Sequence, residues 1–141
     1  MSTQAISGAC LCSAIAFEID LPTKWIAHCH CSMCRRAHGA PFVTWVGLKA
    51  EQLRVTQGED VVGRYASSPG VTRSFCTRCG SPLFFESARW SGEIHVARAA
   101  IPSELDRLPQ VHAFFSDKAP WVHVSDELPR RGGVTGTEPL S

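Results

Sequence analysis

An antiparallel, mainly β domain with one or two short helices is the fold class this sequence predicts. Three observations carry it. Apolar and polar residues alternate over many short stretches, the period of a half-buried strand. Glycine, proline and serine punctuate those stretches at close spacing, which suits tight turns between antiparallel neighbours. Seven cysteines fall in close groups rather than singly, as in a fold tied by metal. A chain of 141 residues fits one domain able to bury roughly two-thirds of its unfolded surface.

Residues 5–20 read as a hairpin, with Ile15, Phe17 and Ile19 alternating against Ala16, Glu18 and Asp20 and a turn over residues 8–13. Trp25–Cys29 is the next strand and runs straight into the densest cysteine cluster. Ser32–His38 is predicted as a short helix, capped by Ser32 and stopped by Gly39 and Pro41. Residues 42–48 are rich in β-branched and aromatic side chains, so strand. Residues 53–56 and 61–65 are expected to pair as a hairpin around 57–60. A turn at 67–70 leads into a strand over 71–75 that delivers Cys76, and 83–86 carries on as its partner. Residues 94–98, 111–115 and 121–124 read as further strands, and 102–108 as one or two helical turns. The tail from 130 to 141 lacks apolar periodicity and is expected to be loose, leaving a domain over 1–129.

The formal net charge is +1, from 14 basic and 13 acidic residues, so no nucleic acid or anionic membrane is called for. The pairs Arg35-Arg36 and Arg130-Arg131 are too short for a binding stripe. The first twenty residues lack a secretory pattern, being interrupted by Gly8, Glu18 and Asp20. No apolar run nears the ~20 residues of a spanning helix. The expectation is a cytoplasmic protein with reduced thiols, whose cysteines serve metal or catalysis rather than disulfides; their odd number agrees.

Cys29, Cys31 and Cys34 are spaced C-x-C-x-x-C, with Cys10-x-Cys12 upstream and Cys76-x-x-Cys79 downstream. Zinc takes four tetrahedral ligands in structural sites, and often three plus an open position in catalytic ones. In an extended segment Cys29 and Cys31 face the same way, and a turn at Ser32-Met33 brings Cys34 round to join them. The other four cysteines then close a second site, and structural zinc of this kind contributes on the order of 10 kcal/mol or more in small peptides. Spacing leaves another partition open: Cys31, Cys34, Cys76 and Cys79 as the two knuckles of a zinc ribbon, with Cys10, Cys12 and Cys29 left over.

Four motifs together resemble a known family. They are Gly8-x-Cys10-x-Cys12, then Cys29-His30-Cys31-Ser32-x-Cys34-Arg35-Arg36, then Phe75-Cys76-x-x-Cys79-Gly80-Ser81-x-Leu83, and last His112-Ala113-Phe114-Phe115-Ser116-x-x-Ala119-Pro120-Trp121. The pattern resembles the glutathione-dependent formaldehyde-activating family, which also includes centromere protein V, over residues 6 to about 129. The resemblance implies a β-tent of antiparallel sheets around two zinc ions per chain. It implies a structural zinc on Cys10, Cys12, Cys76 and Cys79, and a second zinc on Cys29, Cys31 and Cys34 with its fourth position open. It also implies a carbon–sulfur lyase that joins glutathione to formaldehyde, or cleaves the adduct, so a small thiol and a small aldehyde are the expected partners.

A zinc held by three thiolates is net negative. It suits holding a substrate thiolate better than polarising a carbonyl. That thiolate would attack the aldehyde carbon while a nearby acid protonates the alkoxide. The sequence singles out no such acid. His28 and His30 alternate away from the thiols, His38 lies one helical turn beyond Cys34, and His112 sits in the last motif; a histidine is also a candidate fourth ligand. Arg35 and Arg36 are candidates for binding the carboxylates of a peptide thiol. Trp25, Trp45, Trp90 and Trp121 are core or pocket wall, and Phe84-Phe85 reads as core. Two other readings stand beside the lyase: a zinc scaffold for a partner, and a thiol or metal sensor.

Overall fold

The computed structural model describes residues 5–140. In chain order the strands are β1 (Ala5–Ala9), β2 (Ala16–Asp20), β3 (Trp25–Cys29), β4 (Val43–Lys49), β5 (Leu53–Gln57), β6 (Val62–Ser68), β7 (Val71–Cys76), β8 (Pro82–Ser87), β9 (Glu93–Ala97), β10 (His112–Ala113), β11 (Arg131–Gly132) and β12 (Glu138–Pro139). Helix α1 (Ser32–His38) lies between β3 and β4. A three-stranded sheet is ordered β1-β2-β5, a seven-stranded sheet β10-β3-β4-β9-β8-β7-β6, and β11 pairs with β12. The mainly β expectation holds, with β10 on β3 as a parallel pair in an otherwise antiparallel sheet.

Strand alternation decides what each face of the large sheet holds. Ile26, Val46, Leu48, Phe84, Ile94 and Val96 share one buried core with Ile6, Phe17 and Ile19 of the small sheet. The Phe17 ring stands edge-on to Phe84 at 5.3 Å. The alternate residues face the other way and fall in register. Trp25 lies opposite Gly47, Gly47 opposite His95, His95 opposite Phe85, and Phe85 opposite Arg73. One row of residues thus crosses five strands. Its second member is glycine because the Trp25 ring lies over that backbone, where a Cβ would collide with it.

The helix spans the predicted residues, but Ser32 does not cap it. Cys31 holds the N-cap position without a side-chain bond, and Gly39 closes the other end in the left-handed conformation. Arg35, Arg36 and His38 occupy the last turn, where positive charge suits the helix dipole.

Other expectations are overturned. Residues 53–56 and 61–65 do not pair, because Leu53 and Val55 pack on the core as β5 adds to β2, while β6 pairs with β7. Residues 102–108 make no helical turn. The Asp106 carboxylate accepts from the Thr23 N–H (3.0 Å) and hydroxyl (2.8 Å), and Arg107 donates to the Thr23 carbonyl at 2.8 Å, which holds the segment along the start of β3. Residues 121–124 form no strand, and Trp121 is 70% exposed. Residues 130–140 are not loose: β11 and β12 form a hairpin, anchored by Phe114 N–H to the Gly136 carbonyl at 2.7 Å and by Gly133 N–H to Ser116 Oγ at 3.1 Å. These ties are polar and mostly backbone, so apolar periodicity does not reveal them.

Gly47→Ala should lower stability in urea by about 1–3 kcal/mol as Trp25 is displaced, with a matching change in tryptophan emission. An unchanged midpoint and spectrum would show that the ring has room to move.

Candidate metal centres and active-site cavity

Cys10 and Cys12 sit in the turn after β1, and Cys76 ends β7 three residues before Cys79. Their four Sγ atoms all lie within 4.8 Å of one another. Cys10 and Cys12 are 3.7 Å apart, and Cys12 and Cys76 3.8 Å. A tetrahedral zinc with sulfur at about 2.3 Å has sulfur–sulfur edges of about 3.8 Å, so this donor set fits that ion. Backbone amides also point at the sulfurs: Ile15 N–H to Cys10 at 3.3 Å, and Arg78 N–H to Cys76 at 3.4 Å. The Ser81 hydroxyl lies 3.1 Å from Cys79 and leads in holding that thiol down to about 5. Cys76 and Cys79 therefore assemble with Cys10 and Cys12, and the ribbon partition does not form.

Cys29 at the end of β3, Cys31 and Cys34 form a looser second group, with 3.7 Å between Cys29 and Cys34; among the described residues only the four-cysteine group brings all its sulfurs within 4.8 Å. The neighbouring Cys29 and Cys34 thiols pull Cys31 down to about 2, while Cys29 is pushed up, first by Cys31 and Cys34 and then by burial. One more group joins them. The Arg73 guanidinium donates to Cys34 Sγ at 3.6 and 3.7 Å and lies 5.0 Å over the Phe85 ring.

The three thiols open on a cavity of about 270 Å³. Trp25, Trp45, Phe85, Trp90 and Phe114 form aromatic walls, and Arg73, Glu93 and His95 are its charged or titratable side chains besides the thiols. His95 Nε2 lies 3.0 Å from Glu93 Oε1, and Lys24 pairs with the other Glu93 oxygen. Burial alone would raise the Glu93 carboxyl, but Lys24 and His95 outweigh it and keep it below the ordinary range. An ionised carboxylate only accepts, so His95 Nε2 carries the proton and Nδ1 is left basic. Burial lowers the His95 pKa despite Glu93. The imidazole stacks on Phe85 at 5.3 Å with 23° between the planes.

The histidines singled out from sequence lie elsewhere. His30 and His112 are fully buried in a separate chain of contacts, with His30 Nε2 2.8 Å from His112 Nδ1 and His112 Nε2 2.9 Å from Asp126. Burial, then His112, pushes His30 down to about 4, and its Nδ1 has no partner among the described residues. His28 Nδ1 meets the Thr44 hydroxyl at 2.8 Å. These three alternate to the sheet face opposite the cavity, as the strand period requires. His38 stands edge-on to Trp45 at 5.0 Å, and burial, then Arg73, takes it down to about 4. Arg35 braces backbone, donating to the His30 carbonyl (3.3 Å) and the Asp117 carbonyl (3.0 Å). Arg36 and His38 line a neighbouring cavity of about 560 Å³ that shares Trp45 and Arg73 with the first. Trp121 is no part of either wall, while Phe85 is wall rather than core. Arg73 and the Glu93–His95 pair were not singled out from sequence. Glu93 and His95 had a signal, polar residues alternating with Ile94 and Val96; Arg73, between Thr72 and Ser74, had none.

The family model described as glutathione-dependent formaldehyde-activating enzyme matches residues 5–117. The chain belongs to this family. A Halomonas elongata protein that carries the family's name is 32% identical over 126 residues, which is 84% of this chain and 80% of that protein. An uncharacterised lyase of Schizosaccharomyces pombe is 36% identical over 78 residues, 55% of each chain. A Rhodobacter sphaeroides crystal structure superposes with a TM-score of 0.62 at 25% identity, covering 72% of this chain and 93% of that one. Among the described residues no helix is long and apolar enough to cross a membrane.

The lowered histidines set an acid limit. Between about pH 6.5 and pH 4 the unfolded chain binds a proton at His38 that the folded chain refuses, and the lowered His95 acts in the same direction. Stability is full above the unfolded value and falls as pH drops through that window. Denaturant midpoints should therefore decrease from about pH 7.5 to about pH 5; a flat profile would contradict neutral burial.

Proposed function

We propose that this chain is a carbon–sulfur lyase that joins a thiol to an aldehyde, and cleaves the adduct, at Cys29, Cys31 and Cys34. The observation that carries the reading is the convergence on one cavity of three thiols, the Arg73 guanidinium and the His95–Glu93 pair. Family membership supports it, and glutathione and formaldehyde are the substrates named in the family's description. Seven cysteines without disulfides suit a reducing compartment such as the cytoplasm.

Cys10, Cys12, Cys76 and Cys79 would hold a structural zinc, and Cys29, Cys31 and Cys34 a second. The second ion would offer a position for a substrate thiol and lower its pKa. The chain's own side chains do the rest. Arg73 offsets the negative charge of the thiols and presents N–H donors to a carboxylate of a glutathione-like thiol, with Arg36 in the adjoining cavity as a second cation. His95 takes the thiol proton at Nδ1 while Glu93 holds its Nε2–H. The sulfur then bonds to the carbonyl carbon, the π pair moves to oxygen, and His95 returns the proton to the alkoxide. Cleavage runs the same steps backwards.

Metal analysis should give two zinc per chain, falling to about one in a folded Cys31→Ser variant, whereas Cys76→Ser should unfold at markedly lower temperature. Unfolding of Cys31→Ser would make the second centre structural. Glutathione and formaldehyde combine unaided, so exchange NMR should be run against a protein-free control. His95→Gln should slow the catalysed exchange about a hundredfold or more without loss of metal. Equal exchange with and without wild-type protein would refute the lyase reading.

A further inference from the structure

The cavity above the three thiols is far larger and less polar than formaldehyde requires. It holds about 270 Å³ and is walled by the rings of Trp25, Trp45, Phe85, Trp90 and Phe114. Glu93 is engaged by Lys24 and His95, and the one cation of the lining, Arg73, stands at the border shared with the neighbouring cavity. A glutathione body laid there would bring its carboxylates and ammonium against aromatic faces, and charge without a partner is costly in such surroundings. The neighbouring cavity, with Arg36, Tyr65, Ser67 and the shared Arg73, matches that polar body better. The aromatic cavity matches an apolar one, since ligand pockets of this lining hold apolar groups oriented by a few polar ones.

Part of the wall comes from a segment beyond the residues 5–117 that match the family. Thr137 lines the cavity, and Phe114 is held in position by its N–H bond to the Gly136 carbonyl at 2.7 Å. The β11–β12 hairpin thus shapes the pocket in this chain.

We propose that the aldehyde this chain takes carries an apolar group the size of an aromatic ring, seated among Trp25, Trp45, Phe85, Trp90 and Phe114, with the C-terminal hairpin forming part of the selecting wall. The proposal rests on the lyase reading above. The thiol S–H adds across the C=O bond: the carbon–sulfur bond forms, the carbonyl π bond opens, and the thiol proton ends on oxygen. Nothing is oxidised or reduced.

The test uses the metal-loaded full chain with glutathione and two probes, fluorobenzaldehyde and formaldehyde. Fluorine NMR reads binding of the aromatic probe, and exchange NMR reads acceleration over protein-free controls for both. Saturable binding is expected, with at least tenfold greater acceleration for fluorobenzaldehyde. Trp90→Ala should lower the ratio of the two accelerations at least fivefold. Thr137→Trp, at an exposed position, should weaken the fluorine signal's saturation by a similar factor. Acceleration of formaldehyde alone, with no fluorobenzaldehyde binding, would overturn the apolar class and leave the lyase reading standing. Binding without acceleration of either aldehyde would overturn the lyase reading, and with it the occupant's role as substrate.

Discussion

The cross-strand register that places Trp25, Gly47, His95, Phe85 and Arg73 in one row is the constraint on which the site depends. A slip of one residue in any contributing strand would turn its side chains to the opposite face. His95 or Arg73 would then enter the apolar core. The core prevents this by pairing its own residues across the same strands: Ile26 with Val46, Val46 with Val96, and Val96 with Phe84. The free energy that buries one face of the sheet therefore also holds the geometry of the other.

Two polar networks share that sheet without mixing. His30, His112 and Asp126 lie at one edge on the far side from the cavity, and Lys24, Glu93 and His95 line the cavity itself. The first network ties the short parallel strand β10 to β3 through side chains where only two residues of ladder exist. The second leaves one imidazole nitrogen unprotonated in the cavity that the thiols also line. A histidine's place in a conspicuous motif is thus a poor guide to its role here. The side of the strand on which it falls decides that role.

Local features were legible in the sequence. Helix Ser32–His38 and the β1–β2 hairpin follow from nearby residues alone, whereas spacing left open which cysteines meet across the chain. Partner choice was not, because strand alternation says which residues share a face and nothing about the neighbour. That is why residues 53–56 and 61–65, close in sequence, end in different sheets. The same ignorance hid Arg73 and His95. Each is an ordinary polar residue in its own strand, and each gains meaning only beside Phe85. The C-terminal hairpin was hidden because backbone bonds to Phe114 and Ser116 hold it rather than an apolar stripe.

The two thiol clusters differ in how far apart their members lie along the chain. Cys29 and Cys34 are five residues apart, whereas Cys12 meets Cys76 across 64 residues. A nascent chain can gather the first set as soon as the segment leaves the ribosome, since closing so short a loop costs little entropy. The second set stays incomplete until β7 has been made and docked. Each new copy of the protein therefore spends part of its synthesis with Cys10 and Cys12 waiting for their partners. The four-cysteine cluster is a late checkpoint on the assembly of both sheets.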